Sequence, residues 1–255
     1  MRFASLGSGS RGNALVVDSG ETKLLIDCGF SLRMTLSRLA RLGISGEEIT
    51  AILVTHEHSD HIAGVGRFAR HFKVPVYLTH GTCGFLREND VSLPDPRLVD
   101  GYSGFRVGDL SITPYTVPHD AREPVQYVVS RGQVRLGILT DCGVVTPHIV
   151  EVLDGADGLV LECNHDAGML AGSAYPAMLK RRIAGDFGHL GNAQSVSLLE
   201  KIDRRRLRHV VAAHLSEENN HPELVVAALM EAIASDVPEI GVASQDEGFG
   251  WCRLV

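Results

Sequence analysis

The chain has 255 residues, 44% of them hydrophobic and 22% charged, and this ordinary balance excludes intrinsically disordered and collagen-like classes. The formal net charge is -7, so the sequence lacks the overall basic character typical of nucleic-acid-binding proteins. No apolar run approaches the roughly 20 residues that a membrane-spanning helix requires. The start of the chain shows no basic stretch followed by an apolar segment, so we expect neither a secretory signal nor a membrane partner.

The cysteine and histidine contents indicate the compartment and the chemistry. The five cysteines are odd in number and lack paired spacing, which favours a reducing compartment over a disulfide framework. We therefore predict a cytoplasmic protein. The 12 histidines include several that lie close together in the sequence, and this clustering indicates where the function resides.

Short β-branched or aliphatic runs alternate along the chain with segments of helical periodicity. The predicted strands are 14–18, 22–27, 51–55, 74–79, 110–117, 125–130, 133–140, 157–162, 208–214 and 240–244. The predicted helices are 31–42, 61–71, 146–153, 175–183, 192–203 and 221–235. Because strand-rich stretches interrupted by helices favour sheets with helices packed outside them, the pattern predicts an α/β sandwich. The sequence shows no internal repeat or long linker, so we expect one domain over residues 1–255.

The sharpest motif directly follows the predicted strand 51–55. It places four metal-type side chains within six residues, His56, His58, Asp60 and His61. Core packing does not explain them, because histidine and aspartate are costly to bury without a partner. Alternate residues of an extended segment point to the same side, so His56 and His58 can chelate one ion together, while Asp60 and His61 suit a second ion. The alternative is a solvated histidine-rich loop.

Three later segments share an arrangement in which an apolar run ends in a metal-type residue. These residues are His119, Asp141 and His214. Each alone could be an ordinary polar residue at a strand end, but the carboxyl ends of strands meet at one sheet edge, where sites form in α/β folds. The full set predicts two adjacent metal sites, made of His56, His58 and His119 and of Asp60, His61 and His214, with Asp141 bridging them.

The donor types indicate the metals and the reaction. Imidazole and carboxylate groups bind zinc, manganese or iron, whereas a structural thiolate site would need a cysteine pair that the motif lacks. Two divalent ions about 3.5–4 Å apart can share a water and hold it as hydroxide at neutral pH. They also polarise an acyl or phosphoryl oxygen, so the expected reaction class is hydrolysis. Asp60 can both bind metal and orient the hydroxide.

The order and spacing of these seven positions resemble the metallo-β-lactamase superfamily over most of the chain. The resemblance implies a four-layer αβ/βα sandwich with two central mixed β-sheets, and a dinuclear site for two divalent metal ions, zinc or manganese, with iron as a further option. Asp27, at the end of a predicted strand, matches the acidic residue that supports the metal histidines from behind. A turn-forming aspartate before Cys28 and Gly29 explains it equally well. His58 departs from the flavin-partnered di-iron branch, where that position is typically glutamate.

A glycine–histidine turn precedes the predicted helix 192–203, which leads into the strand that ends at His214. This layout resembles the tRNA 3′-processing and related phosphodiesterase branch, in which the turn histidine donates a proton to the leaving oxygen. The resemblance makes His189 the candidate general acid, a role that suits an imidazole pKa of about 6.5. The alternative is a helix-entry residue that faces solvent.

Two further segments, 7–13 and 161–166, are similar to segments of the bacterial YycJ/WalJ-type exonuclease-like branch. The first is a Gly/Ser-rich loop before a strand, so it is not a dinucleotide-binding fingerprint, although its backbone amides can line the site or contact a phosphate. Its alternative is a flexible N-terminal turn. In the second segment, Glu162 or Asp166 is expected to pair with His189. The candidate substrate-binding residues are Ser8, Asn13, Asn164 and His165.

Basic residues near His189 could guide a phosphate backbone despite the negative net charge. They are Arg181, Arg182, Arg204, Arg205, Arg206 and Arg208. The favoured interpretation is a set of solvated charges, since charge runs on helices usually face water. No zinc knuckle or helix-turn-helix pattern is present, and the aromatic content of 5% leaves few side chains on which bases can stack.

Three functions compete. The first is a metal-dependent phosphodiesterase, a 5′-3′ exonuclease-like nuclease that uses a metal-bridging hydroxide and binds nucleic acid or another phosphodiester. The second is a thioester or lactone hydrolase of the glyoxalase II or lactonase kind, which the His189 turn disfavours. The third is a metal-stabilised scaffold, which would have no need of Asp60 or His189. We predict the first function, with a homodimer as an expected assembly.

Overall fold

The computed structural model describes residues 1–233 and 239–255. Its strands are β1 (Arg2–Gly7), β2 (Ala14–Asp18), β3 (Lys23–Ile26), β4 (Ala51–Leu53), β5 (Val76–Leu78), β6 (Pro96–Leu98), β7 (Phe105–Val107), β8 (Leu110–Thr116), β9 (Val125–Arg131), β10 (Val134–Leu139), β11 (Gly158–Glu162), β12 (His209–Ala213), β13 (Glu239–Val242) and β14 (Phe249–Arg253). Its helices are α1 (Leu32–Arg41), α2 (Ser59–Ile62), α3 (Val65–Phe72), α4 (His80–Glu88), α5 (Pro147–Leu153), α6 (Ala167–Gly172), α7 (Ala177–Ile183), α8 (Asn192–Lys201) and α9 (Pro222–Ile233), with a short 3-10 turn at Gly46–Glu48. Within the described ranges, no helix combines the length and the apolar character needed to cross a membrane.

The described strands form two mixed sheets of seven strands each. The first sheet has the order β14-β1-β2-β3-β4-β5-β6, antiparallel from β14 to β3 and parallel from β3 to β6. The second has the order β13-β12-β11-β10-β9-β8-β7, parallel from β13 to β10 and antiparallel from β10 to β7. Parallel neighbours need long crossover connections, and these connections supply helices that cover the outer faces of both sheets.

Apolar side chains fill three layers of core. One lies between the two sheets, one packs the first sheet against α1, α3 and α4, and one packs the second sheet against α5, α8 and α9. Side chains along β2 alternate between layers: Leu15 and Val17 face the other sheet, whereas Ala14 and Val16 face the helices. The layers therefore run helix, sheet, sheet, helix, and the predicted four-layer sandwich is confirmed.

Each predicted strand has a counterpart, although several strands with weak apolar patterns were not predicted. The strands without a sequence prediction are β1, β6, β7 and β14. In β1, Ser5 and Gly7 interrupt the apolar run although both are buried, and in β6 every residue is exposed at the edge of its sheet. Periodicity detects the alternation of buried and exposed side chains, so strands without it escape detection.

The predicted helices 31–42, 146–153, 175–183 and 192–203 are confirmed to within two residues at each end. The predicted helix 61–71 begins earlier, at Ser59, and is divided near Gly64 into α2 and α3. The predicted helix 221–235 corresponds to α9, and its residues 234–235 lie outside the described residues. Helices α4 and α6 were not predicted, because glycines dilute their apolar periodicity. The organisation of residues 1–255 as one domain stays a prediction.

Candidate metal centre

Loops at the carboxyl ends of the central strands converge on one edge of the two sheets. Asp27 directly follows β3, His214 directly follows β12, and Asp141 lies two residues beyond β10. These three residues adopt left-handed backbone conformations, with φ of 59°, 55° and 54° respectively. Such values are uncommon for residues other than glycine and are typically retained at functional positions. The sharp turn at each strand end brings the side chain to the edge shared with the segment 54–61.

One cluster at this edge consists of three imidazoles. Nitrogen atoms of His56, His58 and His119 lie within 4.8 Å of one another, close enough to hold a metal ion. His58 Nδ1 lies 3.0 Å from His56 Nε2 and 3.2 Å from His119 Nε2. On their far sides, His119 Nδ1 donates to Gly188 O at 3.0 Å, and His58 Nε2 donates to Asp120 O at 3.2 Å. Because a carbonyl oxygen only accepts, these contacts leave the facing nitrogens with lone pairs for a ligand role.

A second cluster combines imidazole and carboxylate groups. Ligand atoms of Asp60, His61 and His214 lie within 4.8 Å of one another. Asp60 Oδ2 is 3.3 Å from His61 Nε2 and 3.4 Å from His214 Nε2. Asp141 lies between the two clusters, with carboxylate oxygens 3.1 Å from His61, 3.5 Å from His214 and 3.9 Å from His119. This position is suited to a carboxylate that bridges two ions.

Asp27 lies behind the second cluster. Its Oδ2 is 2.7 Å from His61 Nδ1 and accepts a hydrogen bond from Thr55 Oγ1 at 2.8 Å. Its Oδ1 accepts the backbone N–H of Thr55 at 2.8 Å. A histidine that donates one ring N–H to a carboxylate has its tautomer and orientation fixed. These contacts favour the supporting role for Asp27 over that of a simple turn residue.

Burial and charge act in opposite directions on the histidines. Desolvation lowers the pKa of His56 and of His119. Burial also opposes the charged forms of His61 and His214, but nearby carboxylates, above all Asp141, outweigh it. They raise the pKa of His61 well above its usual value and that of His214 to about 10. The ionised carboxylates therefore need positive charge beside them, either as protons on these imidazoles or as cations.

The two clusters fit divalent metal ions. Their donors are imidazole nitrogens and carboxylate oxygens, which suit zinc, manganese and iron. Asp141 Oδ2 is buried and, although it lies 3.1 Å from His61 Nε2, it accepts no well-aligned hydrogen bond from any described residue. A buried acceptor without a partner costs free energy, and a cation held between the clusters would satisfy it.

A cleft of about 290 Å³ opens beside the clusters. Besides cluster residues, its lining includes Ser10, Ser59, Asp120, Leu179, Arg182 and His189. The mixture of apolar and charged side chains lets the cleft accept a charged ligand against partly apolar walls.

His189 lies at this cleft, with its side chain 23% exposed. Its Nδ1 is 2.8 Å from Glu162 Oε1, and its ring stacks on that of His214 with centroids 5.1 Å apart. Burial opposes the charged form of His189, but the Glu162 carboxylate raises its pKa above the usual value. Glu162 is fully buried, and its Oε2 accepts two backbone N–H groups at 2.8 and 3.1 Å. Asp166 instead accepts a backbone N–H in the first turn of α6, so Glu162 is the partner of His189.

Part of the Gly/Ser-rich loop is packed behind the ligand positions, while Ser10 of the same loop lines the cleft. Ser8 Oγ accepts the backbone N–H of His214 at 2.8 Å and donates to Asn13 Oδ1 at 3.2 Å. Asn13 Nδ2 donates to Asp60 Oδ2 at 3.0 Å, and its backbone N–H donates to Asp60 O at 2.7 Å. A Cβ at Gly29 would lie 1.7 Å from Asp60 O, so only glycine allows this close approach. The buried contacts of Ser8 and Asn13 do not match a flexible N-terminal turn.

The other two candidate substrate-binding residues also lie behind the site. Asn164 Nδ2 donates to His214 O at 2.9 Å. His165 is 4% exposed, and its Nδ1 has no hydrogen-bond partner in the described part of the chain. Like Ser8 and Asn13, these residues are not among those that line the cleft in the described structure. Substrate binding by the four residues stays a prediction.

Sequence reasoning missed the ion pair that forms one wall of the cleft. Asp120 accepts a hydrogen bond from Arg182 Nε at 2.6 Å, and its backbone N–H donates to Phe187 O at 3.0 Å. These contacts tie the loop after β8 to α7 and to the turn that carries His189. The position of Asp120 directly after His119 is the signal that could have found it.

The arginines near His189 in sequence do not gather at one place. Arg182 lines the cleft, whereas Arg205 pairs with Asp203 and Arg206 pairs with Asp157. The segment 203–208 precedes β12, so it lies at the opposite end of that strand from His214. Solvated or structural charges are therefore the better description of Arg204, Arg205, Arg206 and Arg208.

Comparison with known proteins identifies relatives that match most of the chain. A family profile described as a beta-lactamase superfamily domain matches residues 22–214. Exodeoxyribonuclease YycJ of Bacillus anthracis is 33% identical over 252 residues, covering 98% of this chain and 91% of the relative. Exodeoxyribonuclease WalJ of Streptococcus pneumoniae serotype 2 is 32% identical over 245 residues, covering 94% and 91%.

The solved structures agree on the fold. The metallo-β-lactamase fold protein YhfI from Bacillus subtilis superposes with a TM-score of 0.75 at 16% identity, covering 99% of both chains. At this identity the likeness bears on the fold alone. Together with the profile match and the two relatives above 30% identity, it confirms the resemblance predicted from the ligand positions and from segments 7–13 and 161–166. The chain belongs to the metallo-β-lactamase superfamily of hydrolases, and it is an enzyme that resembles the YycJ/WalJ exonucleases.

Proposed function

We propose that this enzyme is a dinuclear metal-dependent phosphodiesterase that degrades DNA as a 5′-3′ exonuclease. The observation that carries the proposal is that His189, paired with buried Glu162, lies at the same cleft as both ligand clusters. A proton donor beside a metal site suits a leaving group that departs as an alkoxide, as the sugar oxygen of a nucleotide does. Two relatives named exodeoxyribonucleases support DNA as the substrate.

Two divalent cations would be held by the two clusters. The proposed ligands are His56, His58, Asp60, His61, His119, Asp141 and His214. Zinc or manganese suits these donors, and iron also fits. Such cations, when bound, lower the pKa of water and stabilise negative charge on a phosphoryl oxygen.

The protein orients the attacking water through Asp60. Asp60 Oδ2 accepts a hydrogen bond from Asn13 Nδ2 at 3.0 Å, whereas Oδ1 remains available for a water in the cleft. Asn13 thereby fixes the carboxylate, and Asp27 fixes the ring of His61 beside it. In this proposal Asp60 has a catalytic role, while Asn13 and Asp27 are positioning residues.

His189 is the proposed general acid. Its Nδ1–H donates to Glu162, so Nε2 is the nitrogen that can deliver a proton to the leaving oxygen. The proton passes from Nε2 to the sugar oxygen as the phosphorus–oxygen bond breaks, and the Glu162 carboxylate stabilises the charged ring before transfer. The backbone N–H groups on Glu162 hold that carboxylate in place.

Two further properties belong to the proposal. A cytoplasmic location is supported by the cysteines, all five of which are free. Formation of a homodimer stays a prediction, and sedimentation velocity would measure it.

Labelled oligonucleotides test the proposed reaction. Enzyme supplied with zinc or manganese should shorten a 3′-labelled DNA strand into a ladder and release the label of a 5′-labelled strand as a mononucleotide. The same preparation should hydrolyse a thioester and a lactone far more slowly, because the proposed site is complementary to attack at a phosphodiester phosphorus rather than at an acyl carbon. Preferred hydrolysis of either ester would contradict the proposal, and faster cleavage of the matching RNA would contradict DNA as the substrate.

His189→Ala should lower kcat for DNA cleavage by about 10²–10⁴-fold, the usual contribution of a general acid. Because a p-nitrophenolate leaves without protonation, the same variant should lose less than about tenfold in kcat on a nucleoside p-nitrophenyl phosphodiester. Metal content, measured by elemental analysis, should not change. The matched control is His148→Ala, at an exposed position on α5. An equal loss on both substrates would reject the acid role.

Asp27→Asn should lower metal affinity by about 10–100-fold, as loss of a carboxylate behind a ligand histidine generally does. Competition with a chromophoric chelator measures this affinity in the folded protein. The matched control is Asp18→Asn, since Asp18 is also buried but pairs with Arg2 at the opposite end of β2 from the site. If both variants bound metal like the wild type, the supporting role of Asp27 would be excluded.

A further inference from the structure

A second groove lies along α2 and α3. It encloses about 480 Å³. Its lining includes Ser59, Ile62, Gly66, Arg67, Arg70 and Phe85. Ser59 lines both the cleft and this groove, so the two spaces are neighbours on either side of Ser59, next to the ligand position Asp60.

The floor of the groove is one face of two successive helices. Residues 59, 62, 63, 66, 67 and 70 all line it, and their spacing of three and four places them on the same side. Eleven residue steps separate Ser59 from Arg70, which corresponds to a length on the order of 15 Å at the helical rise per residue. The groove is therefore long enough for about two or three nucleotides of an extended strand. Phe85, from α4, stands at its wall.

The groove carries cationic side chains whose charge is not neutralised by a paired carboxylate. Arg67 is exposed and forms no side-chain hydrogen bond or ion pair with any described residue. Arg70 Nη1 donates to the carbonyl oxygen of Ser92 at 2.7 Å, which is an uncharged partner. Two acids also border the groove. The Glu57 carboxylate is buried and already accepts the backbone N–H of residue 122, so exposed Asp90 is the acid that opposes the arginines.

We propose that this groove binds the single-stranded DNA that leads away from the scissile phosphate, with Arg67 and Arg70 on phosphates and Phe85 beside a base. The inference rests on the proposed phosphodiesterase function and adds a strand-binding subsite to it. Guanidinium groups without a carboxylate partner, together with an aromatic ring, are the combination that binds single strands without sequence preference. One guanidinium, that of Arg122, already lies 5.4 Å from the centre of the Phe85 ring, so a base would approach the ring from the groove side. A chain with a net charge of -7 needs such a local cationic track to retain a polyanion.

Charge reversal tests the groove by its dependence on substrate length. Arg67→Glu should raise KM for a 12-nucleotide DNA strand about tenfold more than KM for a dinucleotide, because only the longer strand reaches the groove. kcat on the long strand should stay within about twofold. The matched control is Arg208→Glu, at an exposed position at the far end of β12, which should raise neither KM.

A binding measurement separates this inference from the proposed reaction. Fluorescence anisotropy with a phosphorothioate 12-mer that resists cleavage should show weaker binding by Arg67→Ala than by the wild type. The slope of log Kd against log salt concentration should fall by about one, because one phosphate contact is lost. If Arg67→Glu and Arg208→Glu changed KM for the 12-nucleotide strand equally, or if neither changed it, the proposed strand-binding role of the groove would be overturned. Failure of the wild type to cleave DNA while this binding difference persists would contradict the proposed reaction and leave the groove supported.

Discussion

The arrangement depends on carboxylates held inside the protein at the ends of central strands. Asp27, Asp141 and Glu162 are at most 3% exposed. Buried charge is strongly destabilising unless it is paired and hydrogen-bonded, so each carboxylate must face a donor or a cation. Backbone N–H groups donate hydrogen bonds to the carboxylates of Asp27 and Glu162. The imidazoles of His61 and His214 lie beside the carboxylate of Asp141. The excess of negative charge at this edge is what makes a pair of divalent cations fit there.

The elements around the carboxylates orient the ligand side chains and form the walls of the cleft. Ser8, Asn13 and Asn164 lie behind the ligand positions and fix their orientation through buried hydrogen bonds. The Asp120–Arg182 pair forms one wall of the cleft, and the groove along α2 and α3 lies next to it, with Ser59 lining both. In the proposed exonuclease reaction, the cleft would hold the reacting end and the groove would guide the rest of the strand.

Much of this organisation was accessible from the sequence, because clustered histidines and strand-end carboxylates have few explanations other than a shared site. The partner of His189 was not, since Glu162 and Asp166 belong to the same short segment of the sequence and the start of α6 decides between them. The role of Asn13 behind Asp60 also required the fold, because 47 positions separate the two residues. The arginines of 203–208 could be placed only once the direction of β12 was known.

Anomalous diffraction from crystals of protein purified without added metal tests the central claim most directly. The account predicts two strong peaks per chain, one among His56, His58 and His119 and one among Asp60, His61 and His214, with the Asp141 carboxylate between them. Folded protein in which these side chains keep their positions but no peak lies among them would contradict it.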